Sequence, residues 1–398
     1  MTHSPTTSAG PHTHPSVRVG VIGVGNCARA LLEGIGHYRH HPEVTAGLMA
    51  PEIGPYGPGD VRPVAAWDVD ADKVGRTLWQ ARCAGQNLDV GIGQDGLEPV
   101  GRDVLVQAAP ALDGLGDLYR SRVTGALTWD GDHLAAAAES IVGQIREARV
   151  DVLLNYLPVG SQAATEWWAE RALEAGVAFV NCVPVFIARE PAWRDRFAAA
   201  GLPLIGDDIK SQLGATYLHR VLVRAFADRG VRLDRTYQLN VGGNMDFFNM
   251  LESDRLASKR ASKSAAVTDC YTGRDGLELR PDDVHIGPSD YVPWLGDRKK
   301  AFIRCEGRGF AGAPIELEMQ LTVPDSPNSA GVVIDAARVA KLALDRGDAH
   351  ADRWVSAWLF KAPPKDVCEL EDSVAHALLN HWINGGRRAA PGPEGAGS

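Results

Sequence analysis

Residues 17–35, VRVGVIGVGNCARALLEGI, run apolar, turn on glycines, then space their apolar residues as a helix does. That order predicts a strand, a tight turn and an amphipathic helix. VRPVAAWDVDADKVG predicts a second strand ending at Asp68. VDVLLNYLP and VAFVNCVP are almost wholly apolar, as expected of parallel strands covered on both faces. Between them GSQAATEWWAERALEAG has helical spacing and a glycine stop. LPLIGDD predicts one more strand, with a helix from Ser211 onward. Strands alternating with helices predict an α/β fold, a Rossmann-like doubly wound parallel sheet.

The period changes near residue 230. RTYQLNV, DVHIGP, KKAFIRCEG and PIELEMQLTV read as strands with little helix between them. In the last, Ile315, Leu317, Met319 and Leu321 point one way and Glu316, Glu318 and Gln320 the other. One-sided strands predict a separate sheet, an inserted α+β domain that is mainly antiparallel. SAGVVIDAARVAKLALDRG then returns to helical spacing and stops at Gly347. The expected organisation is a disordered N-terminus (1–16), a first part of the nucleotide domain (17–213), a catalytic and oligomerisation domain (214–323), a return to the nucleotide domain (324–386) and a disordered tail (387–398).

Composition narrows the function class. The 398 residues carry a net charge of −9, which argues against nucleic acid and anionic membranes as partners. No apolar run reaches the ~18 residues of a membrane span. The N-terminal stretch lacks the basic start and apolar core of a signal peptide. The six cysteines, at 27, 83, 182, 270, 305 and 368, form no CxxC pair. They read as reduced and buried in a cytoplasmic chain.

Candidate chemistry starts at the first turn. Gly23, Gly25, Asn26 and Cys27 follow a strand and open a helix, with Ala28 in the place of a third glycine. Glycines there let a pyrophosphate approach, and the helix start supplies free N–H groups. Asp68, delayed by a Pro/Gly-rich insertion, stands where an acid takes the ribose hydroxyls and repels a 2′-phosphate, which favours NAD over NADP. Capping of the next turn is the alternative role. Asp207, Asp208 and Lys210 follow a strand end, where open α/β sheets bind ligands. The adjacent aspartates also suit a cation, monovalent or divalent, with Asp208 as a ligand. Ser211 suits either ligand contact or an N-cap. Asn240, Asn244 and Asp246 surround a Gly-Gly turn and suit phosphate or hydroxyl recognition, or Asx capping. Lys259 and Lys263, four apart, would share one helix face and repel unless an anion lies between them. Lys299 and Lys361 adjoin apolar residues, a setting for a base or for a fixed cation, or for a surface lysine whose stem covers apolar groups.

Together these stretches resemble the myo-inositol-1-phosphate (inositol-3-phosphate) synthase family in its shorter actinobacterial form. The matching segments include VIGVGNCA, AAWDVDADKVG, GDDIKSQLGAT, LNVGGNMDFFNMLESDRLASKRASKSAAVT, VHIGPSDYVPWLGDRK and DSPNSAGVVIDA, and they span Val17 to about Pro364. The resemblance implies a redox-neutral cyclase with tightly bound NAD, a hexose-phosphate substrate and a homotetramer. It implies catalytic roles for Lys259, Lys263, Lys299, Lys361 and Asp208. It places Ser211, Asn240 and Asn244 on the phosphate, and Asp325 and Ser326 against NAD. The chain departs from actinobacterial relatives at Ala84–Asn87, where they usually carry Ser-Glu-Asn-Asn, at Lys300, where they usually carry an aromatic residue, and in the insertion before Arg62. Three readings stay open: closure of glucose 6-phosphate to an inositol phosphate, closure of fructose 6-phosphate to a five-membered cyclitol phosphate, and a non-catalytic NAD-binding scaffold.

Overall fold

A computed structural model describes residues 15–93, 97–125, 131–251, 279–349, 352–368 and 370–385. Both chain termini, Cys270, and the segment with Lys259 and Lys263 lie outside the described residues.

Six parallel strands form the first sheet: β1 (Val17–Ile22), β2 (Val61–Asp68), β3 (Val106–Ala108), β4 (Val152–Asn155), β5 (Ala178–Asn181) and β6 (Leu204–Ile205). Their order is β3-β2-β1-β4-β5-β6, the doubly wound order that leaves a crevice beyond the β1 and β4 ends. The helices are α1 (Asn26–His40), α2 (Leu78–Ala81), α3 (Asp117–Arg120), α4 (Gly131–Glu147), α5 (Gln162–Ala175), α6 (Pro191–Ala199), α7 (Ala215–Asp228), α8 (Met245–Asn249), α9 (Pro327–Arg346), α10 (Asp352–Leu359) and α11 (Asp372–Ile383). β4 and β5 are buried at every position, which is why their sequences do not alternate. One apolar layer joins the sheet to α1 and α9 through Leu31, Ile35, Val333 and Val339. The other joins it to α4 and α5 through Ile145 and Trp168.

The second sheet contains β7 (Arg232–Gly242), β8 (Val284–Tyr291), β9 (Arg298–Arg308) and β10 (Pro314–Pro324), in the order β10-β9-β7-β8. Two pairings are antiparallel and β7–β8 is parallel, so the sheet is mixed. Val223 and Phe226 of α7 pack with Ile303 and Cys305 of β9 on one face. The alternation expected along β10 is present but shallow: Leu317, Met319 and Leu321 are half-buried and Ile315 is exposed. β10 is an edge strand, so its apolar side has fewer neighbours.

The Pro/Gly-rich insertion is a packed loop tied to α9. Asp335 accepts from the amides of Met49 and Ala50 at 2.8 and 3.1 Å, and Arg338 donates to the carbonyls of Pro51 and Tyr56. Among the described residues, no helix is long and apolar enough to cross a membrane. The described cysteines are free, but Cys83 is exposed and Cys27 and Cys368 are half-buried, contrary to the expectation of burial throughout. Their segments border loops and the cleft, where apolar neighbours in sequence do not become cover in space.

Candidate functional site

One cleft beyond the carboxyl ends of the first sheet gathers chemistry from both sheets. Its floor is the turn between β1 and α1. Gly23 has φ +85°, a left-handed conformation, and a Cβ there would meet the Tyr156 carbonyl at 3.0 Å. A Cβ at Gly25 would meet nothing within 4 Å, so the backbone is open on the cleft side. Gly25 caps α1 without a side-chain hydrogen bond, leaving the first amides of the helix available to an anion. The Tyr156 hydroxyl is buried there with no hydrogen-bond partner. An open glycine turn, an uncapped helix start and an orphaned hydroxyl fit a bound dinucleotide.

Asp68, at the end of β2, takes the capping role considered for it and also fastens the glycine turn. Its Oδ1 accepts from the amides of Val69 and Asp70, a cap on the following turn, while Oδ2 accepts from the Val24 amide in the glycine turn at 2.7 Å. Lys73 Nζ lies 3.5 Å from the same Oδ2. Asn26 accepts from the Leu88 amide and turns its NH2 toward Asp297. Cys27 lines the cleft, and its thiol is pushed up to about 12 by burial and by Asp297, Asp325 and Asp246.

Asp208 and Lys361 meet where the segment after β6 bridges the segment after α10, through Ile209 and Phe360. The Lys361 ammonium donates to Asp208 Oδ1 at 2.7 Å. Asp208 has φ +61°, uncommon for a residue with a side chain, and is held there by backbone bonds to Val183 and Lys361.

Its neighbours have other partners. Asp207 is fully buried and accepts from the amides of Ile187, Ala188 and Arg189 and from Asn181. The two aspartates therefore serve different partners and do not form one cation site. Among the described residues, no group of three or more His, Cys, Asp or Glu side chains is placed to hold a metal. The Lys210 ammonium donates to the Ala357 and Trp358 carbonyls and to Asp372, so it caps the α10 C-terminus. The helix expected from Ser211 begins at Ala215, with Gly214 as its N-cap. A Cβ at 214 would lie 2.7 Å from the Ser211 Cβ, so the turn closes too tightly there for another residue. Ser211 lies on the cleft wall beside the uncapped start of α7.

The second sheet supplies the facing wall. Asn240, on β7, donates to the Gly287 carbonyl at 2.8 Å and accepts from Gln238. Asn244 caps α8, accepting from the Asp246 and Phe247 amides, so its NH2 faces Asp297 and Asp325. Asp246 follows on the cleft wall. Lys299, on β9, pairs with Asp325. Burial pulls this ammonium down, but Asp325, with Asp246 and Asp297 beyond it, outweighs burial and the pKa is raised. Lys299 thus stands on the cleft wall as an ammonium paired with Asp325. Ser326 donates from both its amide and its hydroxyl to Asp297.

All the expected site residues that are described thus line this one cleft, and Lys299 and Lys361, far apart in sequence, share it. Asp297 was missed: a charge next to Gly296 and Arg298 at a strand start reads as surface, and its burial comes only from tertiary partners. Tyr156, Gln238 and Lys73 were missed as well, since nothing in their spacing sets them apart.

Residues 214–326 match the family model described as myo-inositol-1-phosphate synthase. The inositol-3-phosphate synthase of Mycolicibacterium smegmatis is 50% identical over 371 residues, covering 93% of this chain and 98% of that protein. The crystal structure of Ari2 is similar with 33% identity and a TM-score of 0.73, over 93% of this chain and 99% of that one. A myo-inositol-1-phosphate synthase-related protein from Thermotoga maritima has 25% identity and a TM-score of 0.75, over 93% and 98%. With half of its residues shared along nearly the full length of a synthase, the chain belongs to the myo-inositol-1-phosphate synthase family.

Proposed function

We propose that this chain is an NAD-dependent, redox-neutral cyclase that converts glucose 6-phosphate to myo-inositol 1-phosphate (1D-myo-inositol 3-phosphate). The observation that carries this reading is the meeting, in one cleft, of a dinucleotide-type glycine turn with two acid-paired lysines and the uncapped start of α7. Gly23, Gly25, Asn26 and Asp68 would hold NAD, which would supply a hydride acceptor that serves again as donor, so the reaction would end without net oxidation.

The side chains then have these tasks. A base takes the C5 hydroxyl proton as hydride leaves C5, and we assign this to the Lys361–Asp208 pair, the ammonium passing a proton to the carboxylate as the lysine accepts one. The C5 ketone acidifies C6, which loses a proton. The C6 carbon attacks the C1 aldehyde, forming the ring bond, and the new C1 alkoxide takes a proton. C5 then recovers a hydride and a proton. Fixed cations lower the energy of each oxyanion. Lys299 is one. The described wall also carries Asp68, Asp208, Asp246 and Asp325, so a phosphate dianion needs further positive charge. Lys259 and Lys263, which follow the cleft residue Met250 in sequence, would supply it together with the amides of α7, Ser211, Asn240 and Asn244. We read residues 17–213 and 324–386 as the cofactor domain and 214–323 as the inserted catalytic domain, through which a cytoplasmic homotetramer would form.

The test is product identity. Purified protein with NAD and glucose 6-phosphate should yield an inositol phosphate by NMR without accumulating NADH. A higher kcat/KM with fructose 6-phosphate and a five-membered product would overturn the ring assignment. Stoichiometric NADH with an oxidised product would overturn the cyclase reading.

A further inference from the structure

The three pieces that build the cleft are joined by one carboxylate on which the reaction scheme makes no demand. Asp297 is buried just before β9. Its Oδ1 accepts from the Ser326 hydroxyl at 2.7 Å, from Asn244 Nδ2 at 3.2 Å and from Asn26 Nδ2 at 3.4 Å, and its Oδ2 accepts from the Ser326 amide at 3.0 Å. Its carbonyl accepts from the Asp325 amide at 2.7 Å. Every side-chain partner is a donor, and the two asparagine amides are not free to flip. The oxygen of Asn26 is taken by the Leu88 amide, and that of Asn244 by the amides of Asp246 and Phe247. Both NH2 groups must therefore face an acceptor. Asn26 opens α1 after the glycine turn, Asn244 caps α8 after β7, and Ser326 lies at the head of α9 beside Asp325, the partner of Lys299.

We propose that Asp297 is a positioning residue that sets the glycine turn, the Asn244 loop and the Asp325–Lys299 pair in register, so that cofactor and fixed cation are aligned for the same substrate. The inference rests on the proposed cyclase reading. The ring of donors predicts an unusual substitution pattern. Asp297→Asn is nearly isosteric yet places an NH2 against donors, whereas Asp297→Glu is larger yet keeps acceptors.

The experiment compares the full-length D297N, D297E and S326A variants with wild type, measuring NAD affinity by titration, kcat and KM for glucose 6-phosphate, and the melting midpoint. D297N should weaken NAD binding by roughly tenfold or more and lower kcat by a similar factor, the scale of a lost hydrogen bond to a charged group. KM for glucose 6-phosphate should change little. D297E should recover part of the NAD affinity, and S326A should show a weaker form of the D297N defect. If D297N does not fold, S326A and the double variant S326A/D297E carry the comparison. Wild-type NAD affinity and kcat in D297N would overturn the proposal. So would a lowered melting midpoint with unchanged NAD affinity and kcat per active site, since that is a purely structural role. NAD titration needs no turnover. A wild type that binds NAD but makes no inositol phosphate would defeat the functional reading while leaving the positioning role measurable.

Discussion

Lys361 and Asp208 are 153 positions apart, yet the lysine ammonium lies 2.7 Å from the aspartate Oδ1 and the lysine amide lies 2.8 Å from the aspartate carbonyl. Main chain and side chain thus fasten the same two residues. The side-chain contact can be changed while the backbone bridge remains. Under the proposed cyclisation, Lys361→Met should lower kcat by roughly 10²-fold or more, the usual scale for an acid–base group. NAD affinity should stay within a few-fold of wild type. Single-turnover hydride transfer from glucose 6-phosphate, followed at the NADH absorbance, checks the step directly. An unimpaired rate would remove Lys361 from it.

The glycine turn and Asp68 should separate in their effects on the cofactor. Asp68→Ala removes an acceptor for the Val24 amide and a partner for Lys73. NAD affinity should fall by roughly 10- to 100-fold, the range for lost hydrogen bonds to a charged group. Gly23→Ala should be worse. It forces a side chain into a left-handed conformation and brings its Cβ to 3.0 Å from the Tyr156 carbonyl. Calorimetric titration with NAD ranks the two, and the opposite ranking would show that the turn tolerates a Cβ.

The ease of reading these elements from sequence differed for physical reasons. β1, the turn and α1 are local: their period and their glycines carry the information. β4 and β5 are legible because parallel strands buried on both faces admit few polar residues. β3 has only three residues at the sheet edge, too few to show a period. The placing of Lys299 and Lys361 in one cleft has no local signal, because it depends on how the second sheet lies against the first. Lys210 lines the cleft as its position after a strand end implies, but that its ammonium reaches the α10 C-terminus has no local signal, because Ala357 and Trp358 are far away in the chain. Asp297 escaped notice because its four donor groups come from Asn26, Asn244 and Ser326, each distant in the chain.

The insertion before β2 gives a prediction of stability rather than activity. The Gly331 side of α9 rests directly on the loop, where a Cβ would stand 1.9 Å from the Gly47 carbonyl. Backbone on both sides leaves no flexible group to move aside. Gly331→Ala should destabilise the protein by about 2 kcal/mol or more, despite the better helix propensity of alanine, because overpacking outweighs the propensity gain. Urea unfolding checks it. A neutral or stabilising result would mean that the insertion can lift from α9 without loss.

His219 predicts how stability depends on pH. It is fully buried on α7, and its Nε2 lies 2.7 Å from the Thr236 hydroxyl. That hydroxyl donates to the Arg304 carbonyl, so it accepts from the imidazole and fixes the neutral Nε2–H tautomer. Burial, partly opposed by Gln238, lowers the pKa from 6.5 to about 4. The unfolded chain therefore binds a proton at a pH where the folded one does not. The stabilisation is fully present above about 6.5 and is lost as pH falls from there toward 4. The urea midpoint should fall between pH 7 and pH 5. His219→Gln, which cannot charge, should lower stability at pH 7 but show a shallower fall on acidification. Other groups titrate in both proteins, so the informative quantity is the difference between the two slopes. Parallel slopes would mean that His219 gains a proton as easily in the fold as outside it, and would remove the buried imidazole as a source of acid sensitivity.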